Sequence, residues 1–135
     1  MLRSTILRRI ALAALLVVAL PEPLQAQATR SVAHVSTNAM QSVCSAACTV
    51  FTVETSNSVA TLCYLQGFNV ASGSVTLGTT VPDYVLIIQA TAQMASAQPP
   101  TRGVAFSTAF SYAVTTTRNG STACGATTDV VVYHS

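Results

Sequence analysis

"GVAFSTAFSYAVTTTRNGSTACGATTDVVVYH", residues 103–134, is the most strongly patterned part of the chain. Val104, Phe106, Phe110, Tyr112 and Val114 fall on one parity, and Ala105, Ser107, Ala109, Ser111 and Ala113 on the other. Successive side chains of a strand point to opposite faces, so this spacing predicts one long strand with a bulky face and a small face. Asn119-Gly120 follows. Both residues accept positive φ, and the pair between two strand-like runs predicts a hairpin. The return run, Thr122 to His134, is β-branched through Val130–Val132.

The same character extends toward the N-terminus. "TVFTVET" (49–55) and "VATLCYLQGF" (59–68) are rich in β-branched and aromatic residues, with a turn expected at Ser56–Ser58. "SVAHV" (31–35) reads as a short edge strand, and the glycines of "ASGSVTLGTT" (71–80) bracket another. "VPDYVLIIQATAQMASAQPP" (81–100) carries two patterns. Pro82-Asp83 can open a helix, but Ile88, Ala90, Ala92 and Met94 alternate with Gln89, Thr91 and Gln93, which favours a strand over Tyr84–Met94. The single helix is expected over residues 36–48, "STNAMQSVCSAAC". Ser36 or Thr37 can cap it, and Met40, Val43, Cys44, Ala47 and Cys48 then share one helical face. The fold class is therefore mainly β: a small antiparallel sandwich or open barrel with one short N-terminal helix, stapled by two disulfides.

The first residues set the compartment. Arg3, Arg8 and Arg9 precede an apolar run from Ile10 to Leu20, Pro21 and Pro23 break it, and "AQA" (26–28) supplies small residues for cleavage. This is the layout of a secretory signal peptide, residues 1–28, ahead of a single domain over 29–135. The apolar run is too short for a spanning helix, which needs roughly twenty residues. The expected location is the periplasm, cell surface or extracellular space, with no membrane span once the signal is removed. Beyond it, Arg30, Arg102 and Arg118 stand against Glu54, Asp83 and Asp129, with His34 and His134 and no lysine. A nucleic-acid partner requires a basic stripe, and none exists. A surface of Ser, Thr, Gln, Asn and Ala with little net charge tolerates self-association.

An oxidising compartment and an even number of cysteines, Cys44, Cys48, Cys63 and Cys124, predict two disulfides. On a helix, Cys44 and Cys48 would hold their Cβ atoms about 5–6 Å apart, wider than the roughly 3.5–4.5 Å of a disulfide. In an extended segment they would be farther apart still. Crossed pairing, each reaching Cys63 or Cys124, is the favoured reading; a local Cys44–Cys48 bridge with Cys63–Cys124 is the alternative. Zinc on Cys44, Cys48 and His34 or His134 lacks the usual paired ligand spacing, so no metal and no cofactor is expected.

Hydrolytic motifs are absent: there is no G-x-S-x-G, no H-E-x-x-H, no P-loop and no G-x-G-x-x-G. Glu54 and Asp83 could serve as an acid pair only if the fold brought them together. The aromatic stripe Phe106, Phe110 and Tyr112, continued by Tyr133, is read first as core, and otherwise as a face for a partner or ligand. "DVVVYHS" (129–135) has the flat, β-branched character that pairs edge to edge. On "GATTDVVVY" (125–133) and "ACTV" (47–50), with its leader and paired cysteines, the chain resembles exported pilin-type or spore-coat-type β domains of bacteria, although it is shorter than either.

Two functions follow as expectations. The first is an exported, non-enzymatic structural or assembly subunit, or a surface-binding module, that meets itself or another exported protein through sheet edges. The second is a small secreted enzyme or enzyme inhibitor, with a site built from Glu54, Asp83, Asp129 or a histidine.

Overall fold

A computed structural model describes residues 28–35, 37–91, 95–97, 103–125 and 128–135. The expected signal peptide lies outside these residues except for Ala28. The described chain forms β1 (Thr29–Val35), β2 (Gln41–Cys44), β3 (Cys48–Asn57), β4 (Cys63–Phe68), β5 (Tyr84–Ile88), β6 (Ala95–Ala97), β7 (Val104–Phe106), β8 (Phe110–Thr115) and β9 (Thr128–His134). Two antiparallel sheets result. The first runs β1-β9-β3, with β6 and β7 on the remaining side of β3, and the second runs β2-β8-β4-β5. Val50, Val53, Val130 and Val132 of the first sheet pack with Leu65, Ile88, Phe110, Tyr112 and Val114 of the second in one buried cluster. Burial of each such side chain contributes about 1.5–3 kcal/mol.

The expected long strand over 103–117 is two strands in different sheets. β7 pairs with β3 in the first sheet, and β8 lies between β2 and β4 in the second. The parity of the sequence survives the switch: Phe106 and Phe110 meet with ring centroids 4.4 Å apart, one ring from each sheet. Asn69 holds the corner. Its Oδ1 accepts from the Thr108 N–H at 3.0 Å and its Nδ2 donates to Ser107 Oγ at 3.0 Å. The Asn69 N–H in turn donates to Asp83 Oδ2 at 2.7 Å.

From Ala109 onward the small face of the quoted stretch is buried as well, while Ala105 and Ser107 are exposed. All six residues of β8 are buried, and its register with β4 sets Ser111 opposite Phe68 and Ala113 opposite Gln66. These residues form a second buried layer on the outer side of the sheet, which only small or hydrogen-bonded side chains can occupy. Ser111 Oγ donates to the Val70 carbonyl at 2.7 Å. Gln66 Nε2 lies within 2.6 Å of Thr115 Oγ1, 3.1 Å of the Thr117 carbonyl and 3.0 Å of the Gly120 carbonyl, clipping the loop after β8 to the sheet.

That loop is not the expected hairpin. It reverses the chain briefly, through a Thr115–Ala123 bridge and a bond from the Thr116 N–H to the Thr122 carbonyl. The chain then leaves for the first sheet, so β8 and β9 never pair. Neither Asn119 nor Gly120 adopts positive φ; Gly125, where the chain departs, does.

The expected N-terminal helix is replaced by β2 and the start of β3. A bulge between Ser42 and Cys44 breaks the alternation that would have marked a strand. The favoured crossed disulfide pairing is overturned too: Cys44 bonds Cys48 and Cys63 bonds Cys124. The segment is neither helical nor extended. A bend at Ser45–Ala46 carries the chain from the second sheet into the first, and the two Cα atoms end 6.4 Å apart, within disulfide range. Sandwich closure makes that turn without Gly, Pro, Asn or Asp.

Smaller corrections follow the same logic. The 71–80 segment is a 3-10 turn at Ser72–Ser74 followed by turns, not a strand. The expected Tyr84–Met94 strand is β5, ending at Ile88, with Thr91 at φ 52° in the turn beyond it; 92–94 lie outside the described residues. Asn57 closes β3 instead of starting a turn, and its buried amide donates to the Thr61 and Gln89 carbonyls at 2.9 and 3.0 Å. The edge strand at 31–35 is present as part of β1.

Two stability measurements follow. The disulfides enclose sequence separations of 61 and 4. Removal of Cys63–Cys124 by paired alanines is expected to cost about 4 kcal/mol in urea unfolding, and removal of Cys44–Cys48 about 2 kcal/mol. A Cβ on Gly67 would lie 2.8 Å from Phe110 Cε2 and 3.3 Å from Tyr84 Cβ. Gly67→Ala should destabilise the fold by about 1–3 kcal/mol through overpacking.

Candidate functional site

The candidate residues for acid–base chemistry are dispersed. Glu54 lies on β3 between the buried Val53 and Thr55 and so projects from the outer face of the first sheet, where Tyr133 Oη donates to its Oε2 at 3.5 Å. Asp83 stands before β5 of the second sheet and accepts the Asn69 N–H. Glu54 and Asp83 therefore do not form an acid pair. Asp129 is on the outer face of β9, where its Oδ2 accepts from Ser56 Oγ at 3.1 Å. The β1–β9 register sets His34 opposite Asp129. Glu54 pairs with Val131, two residues along β9 from Asp129, which makes the two acids diagonal neighbours on an open sheet face.

His134 is the one buried histidine among the residues whose side chains are described. It ends β9 at 9% exposure, with its Nε2 3.0 Å from Ser31 Oγ on β1 and its Nδ1 3.4 Å from Cys44 Sγ. The sequence pairing of His134 with Cys44 and Cys48 as zinc ligands is thus half realised in space. The sulfurs, however, are bonded to each other and cannot act as thiolates. Among the described residues no group of three or more His, Cys, Asp or Glu side chains is arranged to hold a metal ion.

Of the aromatic stripe, Phe106, Phe110 and Tyr112 lie between the sheets, each 4% exposed or less. The bulky face of a sandwich strand is spent on the core. Tyr133 alone of the four is half-buried, on the outer face of the first sheet. Burial pushes the Tyr112 phenol far above its ordinary range and raises that of Tyr84 as well.

The accessible apolar groups are elsewhere, and the sequence did not single them out. β1 is seven residues long and pairs only with β9 among the described residues; it carries Val32 at 58% exposure. β5 ends the second sheet and carries Ile87 at 52%. The 31–35 run reads as an edge strand from the sequence, whereas Ile87 in its apolar run gives no sign of standing on an edge, since edge status is a property of pairing. No helix among the described residues is long and apolar enough to cross a membrane, and the two disulfides are compatible with an oxidising, exported location. No protein-family model, curated protein or solved structure matches the chain.

The buried phenols set an alkaline limit. The unfolded chain releases its tyrosine protons near pH 10, while the fold keeps those of Tyr112 and Tyr84 to higher pH. Their contribution to stability is complete below about pH 10 and declines as pH rises above it. Urea midpoints taken on both sides of that pH should show the decline, and Tyr112→Phe should flatten it.

Proposed function

We propose that the chain is an exported, non-enzymatic β-sandwich that serves as a structural or assembly subunit, or as a surface-binding module, through its sheet edges. The observation that carries this reading is β1: an edge strand of seven residues with an exposed valine at its centre, where Arg30 near its start is the only arginine or lysine. Soluble β proteins protect such edges with lysine, proline, bulges or covering segments. β1 pairs with β9 over its whole length without a register break, and among the described residues no strand pairs with its other side, which presents a row of backbone donors and acceptors. A partner strand added there would gain main-chain hydrogen bonds, with specificity from the alternating side chains.

The acids support a non-enzymatic reading by their occupation. Glu54, Asp83 and Asp129 each have a hydroxyl or backbone partner, and they lie on an open face or in a loop. A general acid–base pair works from a cleft that excludes water and shifts its protonation.

Light scattering coupled to size-exclusion chromatography of residues 29–135 tests the proposal. Association that grows with protein concentration is expected, and Val32→Lys on the β1 edge should weaken it while the circular dichroism spectrum stays unchanged. A strictly monomeric profile at every concentration would count against self-assembly.

A further inference from the structure

The two disulfides sit in different chemical surroundings. Cys63 is fully buried, and the amide it meets, Asn57 Nδ2 at 3.5 Å, also donates to two carbonyls. Cys44–Cys48 spans the corner between the sheets; its cysteines are buried at 9% and 8% exposure, close to the 7% of Cys124, but the turn that joins them, Ser45, Ala46 and Ala47, is exposed, and the Cys44 sulfur faces the His134 ring nitrogen. From this contrast we propose that Cys44–Cys48 is a thiol-exchange site whose co-reactant is a dithiol. His134 is the group that stabilises Cys44 as the departing sulfur.

The chemistry follows from the contacts. In the tautomer that uses both of them, Ser31 Oγ–H donates to Nε2 and Nδ1–H points at Cys44 Sγ. A thiolate of the dithiol attacks Cys48 Sγ, the sulfur remote from His134, and its proton goes to solvent. As the new S–S bond forms, the Cys44–Cys48 bond breaks and Cys44 leaves with the electron pair. The Nδ1–H hydrogen bond holds that thiolate until it takes a proton from solvent. The second thiol, deprotonated in its turn, attacks the reductant's sulfur in the mixed disulfide and releases Cys48 as a thiolate, which is then protonated. The protein gains two electrons and two protons, and the dithiol loses the same on becoming a disulfide. Exchange is faster when the leaving thiolate is better stabilised, and hydrogen bonds to a charged group are the stronger ones.

The fold accommodates the product. β2 is held to β8, and β3 to β9 and β7, by backbone pairing that extends beyond the two cysteines, so reduction is expected to open the corner and leave both sheets paired.

The test uses the oxidised chain and dithiothreitol under native conditions, with alkylation at timed points and peptide mapping of each cysteine. Cys44 and Cys48 should be labelled about tenfold faster than Cys63 and Cys124, with the β-sheet circular dichroism signal intact. His134→Phe should slow the first pair by about tenfold and leave the second unchanged, while His134→Asn, which keeps a donor near the sulfur, should recover most of the rate. Glutathione, a monothiol, should be found on Cys48 with Cys44 alkylated. Equal or reversed labelling of the two disulfides, loss of the sheet signal with the first pair, glutathione on Cys44, or no effect of His134→Phe would each overturn the proposal. The first three readouts need no variant, so they decide the matter even if the position 134 variants fail to fold.

Discussion

The contact between Phe106 and Phe110 fixes how this chain becomes two sheets. The rings lie 4.4 Å apart across a corner of three residues, one ring from each sheet. On a straight strand the two rings would share a face but stand roughly 13 Å apart, so their contact requires the corner between them. The corner is then secured by polar groups alone: Asn69 serves Ser107 and Thr108, and Asp83 serves Asn69. This places β8 at the centre of the second sheet, and everything around it follows. β2 and β4 flank it, β4 brings β5, and the loop after β8 is clipped down by Gln66 before the chain crosses to β9.

A central strand buried on both faces has consequences for chemistry. Its bulky side belongs to the core, and its small side lies under Val70 and its neighbours. Neither side is available to a ligand, so the stripe that stands out in the sequence is spent on stability. What remains accessible is the periphery: the outer face of the first sheet, the β1 edge with Val32, and the β5 edge with Ile87. The one corner that couples a redox-active bond to an imidazole is the Cys44–Cys48 turn.

Residue pattern alone was enough to read the β character, the antiparallel two-layer class, the use of all four cysteines in disulfides, and the parity that sends Phe106, Phe110, Tyr112 and Val114 inward. The N-terminal helix was misread for a physical reason. Met40, Val43, Cys44, Ala47 and Cys48 have helical spacing, but the bulge at Ser42–Cys44 followed by the corner at Ser45–Ala46 produces the same irregular spacing in a strand. The disulfide pairing departs from the favoured expectation on the same segment, because the chain makes a sheet-to-sheet corner there without any of the residues that signal a turn. The candidate site fared similarly. His134 with Cys44 was visible only as a pairing of residue types, and Ser31, more than a hundred residues away in the chain, carried no signal.

By itself the sequence determined that Phe106, Phe110, Tyr112 and Val114 share an inward parity and that the chain would pair as strands, since alternation and β-branching act locally and need no knowledge of partners. Tertiary structure alone decided where the long patterned run breaks, which cysteines bond, that the small side of β8 is buried too, and that a serine, an imidazole and a disulfide share one corner. Those outcomes depend on the closure of two sheets over a common core, a constraint that joins residues far apart in sequence and leaves no periodicity behind.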